Sequence, residues 1–144
     1  MFEFYENTIF AFKKSEDGAT NLTDNFKVRE FACKDGSDVV FINCMLPLIC
    51  QAVRNWFGVA YTPNSAYRTA THNKAQGGVP HSYHVSGRAV DIPTPKGYTV
   101  DNLYSFLDKL CGNSCEIGRY SWGCHVAITD GKKRFTDSSY KGGK

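Results

Sequence analysis

The stretch Ser82-Tyr-His84-Val-Ser-Gly87-Arg-Ala89-Val-Asp91-Ile places an imidazole and a carboxylate seven residues apart. Neutral imidazole nitrogen and carboxylate oxygen are what a first-row metal takes at about 2.0–2.2 Å. Seven residues is too far for one extended strand face, so the chain must turn between them. Gly87 supplies that turn, and the small Ala89 lets a strand pack tightly as it brings Asp91 back. A third ligand has to come from elsewhere. His125 sits in Cys124-His-Val-Ala-Ile-Thr129, which reads as a core strand with one polar residue. A lone imidazole in such a strand needs a partner, and a metal would provide one.

The elements that must position these groups are partly visible. Ile42, Leu46, Ile49, Val53, Trp56 and Phe57 recur at helical spacing, with Asn43 as N-cap, Pro47 in the first turn and Gly58 as stop. A second helix is expected over about 100–111, with Val100, Leu103, Leu107 and Leu110 on its buried face and Gly112 at its C-terminus. Strands are expected over Thr8–Lys14, Val59–Thr62, Arg88–Ile92, Cys124–Thr129 and Lys133–Thr136, and Phe26–Phe31 forms a short element. Helices and short strands without regular β-α-β alternation predict an α+β fold, with a short mixed or antiparallel sheet flanked by helices.

The chain's 144 residues bound it to one domain, 1–144, with residues 141–144 a flexible tail. A formal charge of +3 and the lack of a dense Lys/Arg cluster with interleaved aromatics argue against nucleic acid. No apolar run approaches the ~20 residues of a membrane span. The start, Met1-Phe-Glu-Phe-Tyr-Glu, lacks the basic and apolar regions of a secretory signal, so synthesis in a cytoplasm is expected. The six cysteines then read as free thiols, mostly small buried apolar residues, with Cys111 and Cys115 the pair placed to bridge on oxidation. No C-x-x-C pair supports a structural zinc site or a redox protein.

The segment Ser82-x-His84-x-x-Gly87-x-Ala89-x-Asp91 resembles the signature of the D-alanyl-D-alanine carboxypeptidase family of zinc peptidases. That family includes phage endolysins, and its fold is shared by the hedgehog signalling domain. Similarity extends to Ser65-Ala-Tyr-Arg68-Thr, His72-Asn-Lys-Ala-Gln-Gly-Gly78, Gly118-Arg-Tyr120 and Phe26–Gly36, and covers roughly residues 25–137. The resemblance implies one zinc per chain held by His84, Asp91 and His125, with a fourth position left for water. It implies that Arg68 engages the substrate carbonyl or carboxylate and that Ser82 helps orient the bound peptide. Tyr83 and Tyr120 are placed to line a substrate groove. The implied partner is a cell-wall peptide containing D-amino acids, and a monomer is expected to act on it once released to the wall.

Taken singly, each feature has a plainer explanation. His125 could be a hydrogen-bonded core residue, Asp91 a turn residue before Ile92-Pro93, Arg68 a surface ion-pair former and His84 a loop histidine. Their joint arrangement favours the metal. Hydrolysis also needs a general base. Relatives carry an acid or second His just before the last ligand, or an Asp two residues after it; here Trp122, Gly123 and Cys124 precede His125, and Ala127 follows. Glu116 is the first candidate for the base, and His81 and Asp130 follow. The rival reading is a zinc-binding module that holds wall peptide or a protein partner without cutting it. His72 with Asn73 is expected to fix the loop carrying Arg68, and Gly77-Gly78 to shape the turn toward His84.

Overall fold

A computed structural model describes residues 8–142. Met1–Glu6, the segment read for a secretory signal, and Gly143–Lys144 of the expected flexible tail lie outside the described residues. The chain begins with strand β1 (Ile9–Lys13), which pairs antiparallel with β2 (Val39–Asn43) so that Ala11 faces Phe41. Between them lie one turn of helix, α1 (Lys14–Asp17), and a turn of 3-10 helix at Val28–Phe31. Phe26, Val28 and Phe31 from this stretch are fully buried.

Helix α2 (Met45–Phe57) starts later than its apolar spacing suggests, because Ile42 belongs to β2. The N-cap is Cys44 and not Asn43, which is the last residue of β2, although the Asn43 side-chain oxygen accepts from the Met45 amide at 2.9 Å. Pro47 lies in the first turn, and Gly58 ends the helix in the left-handed region at φ 66°. Leu46, Ile49, Cys50, Val53 and Phe57 are buried, whereas Trp56 is 70% exposed and stacks on Phe106. Helix α4 (Val100–Cys111) covers the expected residues; Thr99 and Asn102 form a reciprocal cap, and Val100, Leu103, Leu107 and Cys111 are buried. Leu110 is only partly buried, and the buried stripe passes through Cys111 instead. Truncating Leu103 or Leu107 to Ala would cost about 2–5 kcal/mol. Between these helices lies the short α3 (Ala70–Ala75), which was not apparent in the sequence.

The main sheet has four strands in the order β3 (Ala89–Pro93), β5 (Gly123–Ile128), β4 (Cys115–Arg119), β6 (Lys133–Thr136). β5 pairs antiparallel with both β3 and β4, and β4 pairs parallel with β6. Pairing sets opposite faces with period two. Val90, Ile92, Ile117, Cys115, Cys124, Val126 and Ile128 line the core face, over which α4 packs. Asp91, His125, Ala127, Glu116, Gly118, Lys133 and Phe135 fall on the other face by register. The fold is α+β, a single domain of two sheets and four helices among the described residues.

Residues 59–62, read as a strand from composition, pair with no strand. They run as irregular chain into Pro63, and Tyr61 is tied instead to the Cys50 carbonyl at 2.7 Å. All six cysteines are free, and the buried Cys111 thiol is hydrogen-bonded to Cys115. No helix among the described residues is long and apolar enough to cross a membrane.

Candidate metal centre

Three elements converge on the polar face of the sheet. Asp91 on β3 stands directly opposite His125 on β5, a pairing fixed by the antiparallel register. His84 comes from the loop before β3, which returns through Gly87. At φ 76°, Gly87 is in the left-handed region, and a Cβ there would run into the Phe41 carbonyl. The Asn43 amide donates to the Gly87 carbonyl at 2.8 Å, so β2 holds this turn in place.

The donor atoms of His84, Asp91 and His125 all lie within 4.8 Å of one another. His84 Nε2 is 3.2 Å and His125 Nδ1 3.0 Å from the same oxygen, Asp91 Oδ1. The far nitrogens of both rings are also engaged. His84 Nδ1 lies 2.6 Å from the Ala66 carbonyl, which can only accept, so this nitrogen carries a proton and Nε2 is the nitrogen that faces Asp91. His125 Nε2 lies 3.1 Å from Glu116 Oε1. Outer partners of this kind fix the ring orientation of metal-bound histidines. Two imidazoles and a carboxylate with oriented rings fit zinc by donor type and by convergence.

The electrostatics follow from these contacts. Burial would raise the Asp91 carboxyl, but hydrogen bonds to His125 and His84 outweigh it and hold the group well below the usual carboxylate range. For His125 burial works downward, and Asp91 and Glu116 together reverse it, raising the ring to about 9. The His125 contact, together with Lys133, lowers Glu116 despite its burial.

Arg68 lies beside the triad. Its Nε donates to Ser65 Oγ at 3.0 Å, Nη1 donates to Asn73 Oδ1 at 3.2 Å, and Nη2 is 3.6 Å from Asp91 Oδ2. Asn73, 3% exposed, also donates to the Val79 carbonyl at 2.9 Å and so joins the Arg68 loop to the approach to His84. Thr69 caps α3, with its hydroxyl accepting from the His72 amide at 3.1 Å. Asn73 therefore does the positioning, while the His72 ring lies in a separate hollow beside Asn64 and Gln76.

His84, Asp91 and His125 border a cavity of about 560 Å3, which brings in Arg68, Ser82, Glu116 and Tyr120. Ser82 Oγ accepts from the His84 amide at 3.2 Å. Tyr120 stacks on Trp122 with centroids 4.9 Å apart, making an aromatic wall. Of the alternative bases, His81 lines the cavity and Asp130 does not. Cys124 points into the core, and burial pushes its thiol up to about 12. Lys133 and Phe135 also line the cavity. The sequence signal for them was their i, i+2 alternation on β6. Phe135 packs over Gly118, where a Cβ would overlap its ring. A hollow of similar size between α2 and α4, lined by Trp56, Phe57 and Tyr98, contains no acid and no metal donor.

An α+β domain that gathers His, Asp and His on one sheet face beside a fixed arginine has the make-up of a metallopeptidase. The family model described as Peptidase M15 matches residues 22–127, and the chain belongs to that family. It is a family of zinc peptidases that includes D-alanyl-D-alanine carboxypeptidases. No significant match was found among curated proteins or solved structures.

Proposed function

We propose that this protein is a zinc-dependent peptidase of bacterial cell-wall peptides, cutting next to a D-amino acid as a D,D-carboxypeptidase or endopeptidase. The observation that carries the reading is the convergence of His84, Asp91 and His125 within 4.8 Å at a cavity that also presents Arg68. Family membership supports peptide hydrolysis; the wall substrate and a lytic role of the endolysin kind belong to the proposal.

In this reading His84, Asp91 and His125 hold one zinc, which when bound supplies Lewis acidity and lowers the pKa of water toward ~7. Arg68 has N–H groups beyond those given to Ser65 and Asn73, and these donate to the scissile carbonyl oxygen as negative charge builds there. Besides Asp91, Glu116 is the only carboxylate among the described residues that lines the cavity, and it takes the proton of the attacking water. Ser82 and Tyr120 line the peptide's path.

One observation favours a second reading, a zinc-binding module that holds peptide without turnover. Both Glu116 oxygens are engaged, Oε1 by His125 at 3.1 Å and Oε2 by Lys133 at 3.5 Å. The deciding experiment measures zinc content and cleavage of purified muropeptides by the metal-loaded protein. One zinc per chain with product supports the peptidase, and one zinc with no product on any wall peptide moves the assignment to the module.

A further inference from the structure

A second hollow of about 530 Å3 adjoins the metal cavity, and the two share Arg68, Asp91 and Trp122 as a common wall. Its remaining lining is Lys34, Asn64, Ser65, His72 and Gln76. The charge balance of this lobe is one-sided. Its single acid, Asp91, is already answered by His84, His125 and Arg68. Asp35, next to Lys34 in the chain, accepts from Thr69 at 2.7 Å and from the Ser37 amide at 2.9 Å. Among the described residues the Lys34 side chain and the His72 ring have neither an ion-pair nor a hydrogen-bond partner, although both line the same hollow. Asn64 and Gln76 add neutral polar groups.

A cation and an imidazole without partners, beside an arginine already fixed in place, make a subsite for an anion. We propose that this lobe binds a carboxylate of the substrate, held by Lys34 and His72 beyond Arg68, and that it selects peptides carrying a free acid on that side of the scissile bond. The inference rests on the peptidase reading for its substrate, but not on turnover for its test. Wall peptides offer two sources of this chemistry, the α-carboxylate of a γ-linked D-Glu and the C-terminal carboxylate.

The experiment uses three otherwise identical peptides: one with both acids free, one amidated at the D-Glu, one amidated at the C-terminus. Wild-type zinc-loaded protein is compared with Lys34→Ala/His72→Gln, reading KM where product forms and the calorimetric Kd where it does not. The expected result is a roughly tenfold weaker KM or Kd for one of the amidated peptides, which identifies the carboxylate, and a ratio near one in the double variant. Equal values for all three peptides in the wild type, or discrimination that survives in the double variant, would overturn the subsite. If no peptide is cut but the acid preference and its loss are seen by calorimetry, the peptidase reading fails and the subsite stands. Absence of measurable binding to all three overturns both.

Discussion

Glu116 on β4 stands opposite Ala127 on β5, and its carboxylate reaches diagonally along the sheet to His125, with Oε1 3.1 Å from Nε2. Ala127 is two residues after His125 and on the same face of the sheet. Its cross-strand neighbour supplies a carboxylate to the same face of the sheet. Glu116 has two tasks open to it, orienting His125 and accepting a proton.

Two substitutions separate those tasks. Glu116→Gln keeps an oxygen that can accept from His125 Nε2, so zinc content should hold while kcat falls by about 10²–10⁴. Glu116→Ala removes the outer partner as well and should weaken zinc binding by about 10–100-fold. Steady-state kinetics paired with metal analysis reads both. Full activity in Glu116→Gln would place the base elsewhere.

The metal should also hold the fold together. His84 and Asp91 are 3% and 7% exposed, and an ion that binds only the folded state stabilises it by about 4 kcal/mol at a thousandfold excess over its Kd. Chelation should lower the unfolding midpoint, and added zinc should restore it. His84→Ala and Asp91→Asn should lose the zinc and respond to neither treatment. Retention of one zinc in either variant would remove that residue from the ligand set.

The convergence of His84 on Asp91 was legible because donor types, a turn glycine and a small strand residue occur at fixed offsets, and each has a local physical reason. Helix α4 was equally legible from its apolar spacing and the Gly112 stop. Strand β4 was not. Its sequence, Cys-Glu-Ile-Gly-Arg, alternates between the core and a polar site face, and without its partners Glu116 and Gly118 look like loop residues. The Glu116–His125 contact depends on that strand and was hidden with it. Ile42 was misplaced because it lies four residues before Leu46, the helical offset, while the pairing that makes it a strand residue is with distant Phe10. The anionic subsite joins Lys34 to His72 across a loop and a short helix, a proximity only the tertiary fold creates.

Arg68 is held at three points, by Ser65, Asn73 and Asp91. A lysine is a single point charge and cannot reproduce that fork. Arg68→Lys should therefore retain zinc yet lose about 10²–10³ in kcat/KM, the scale of one lost oxyanion donor. Asn73→Ala should produce a milder loss through the same guanidinium. Unchanged kinetics in Arg68→Lys would take the side chain out of the reaction.

Gly87 couples the site to the rest of the fold. Alanine there would combine a left-handed backbone at φ 76° with a Cβ against the Phe41 carbonyl. The conformational part alone costs about 1–2 kcal/mol, and the close approach adds to it. Gly87→Ala should lose at least about 2 kcal/mol in denaturant unfolding and weaken zinc binding, because the turn sets the distance from His84 to Asp91. A loss below about 0.5 kcal/mol would mean that the turn relaxes freely.

Acid stability should depend on an ion pair that does not line the candidate metal cavity. Arg134 Nε donates to Asp108 Oδ1 at 2.7 Å, and the same guanidinium donates to the carbonyls of Gly112 and Cys115, tying the end of α4 to β4 and β6. The hydrogen bond to Arg134 lowers the Asp108 pKa in the folded protein. A depressed carboxylate contributes stability that is fully present above its unfolded pKa of about 3.9 and is lost as pH falls through the folded value. The Asp108 side chain is 40% exposed, so solvent screening discounts the contribution to about 0.5–1 kcal/mol. Asp108→Asn should be less stable than wild type by that amount at pH 7, and the difference should shrink as the pH drops below 4 and the wild-type carboxylate is protonated. Urea unfolding of both proteins across that range reads the effect directly. A difference that stays constant with pH would assign the loss to packing or to the amide's own hydrogen bonds, and not to the charge on Asp108.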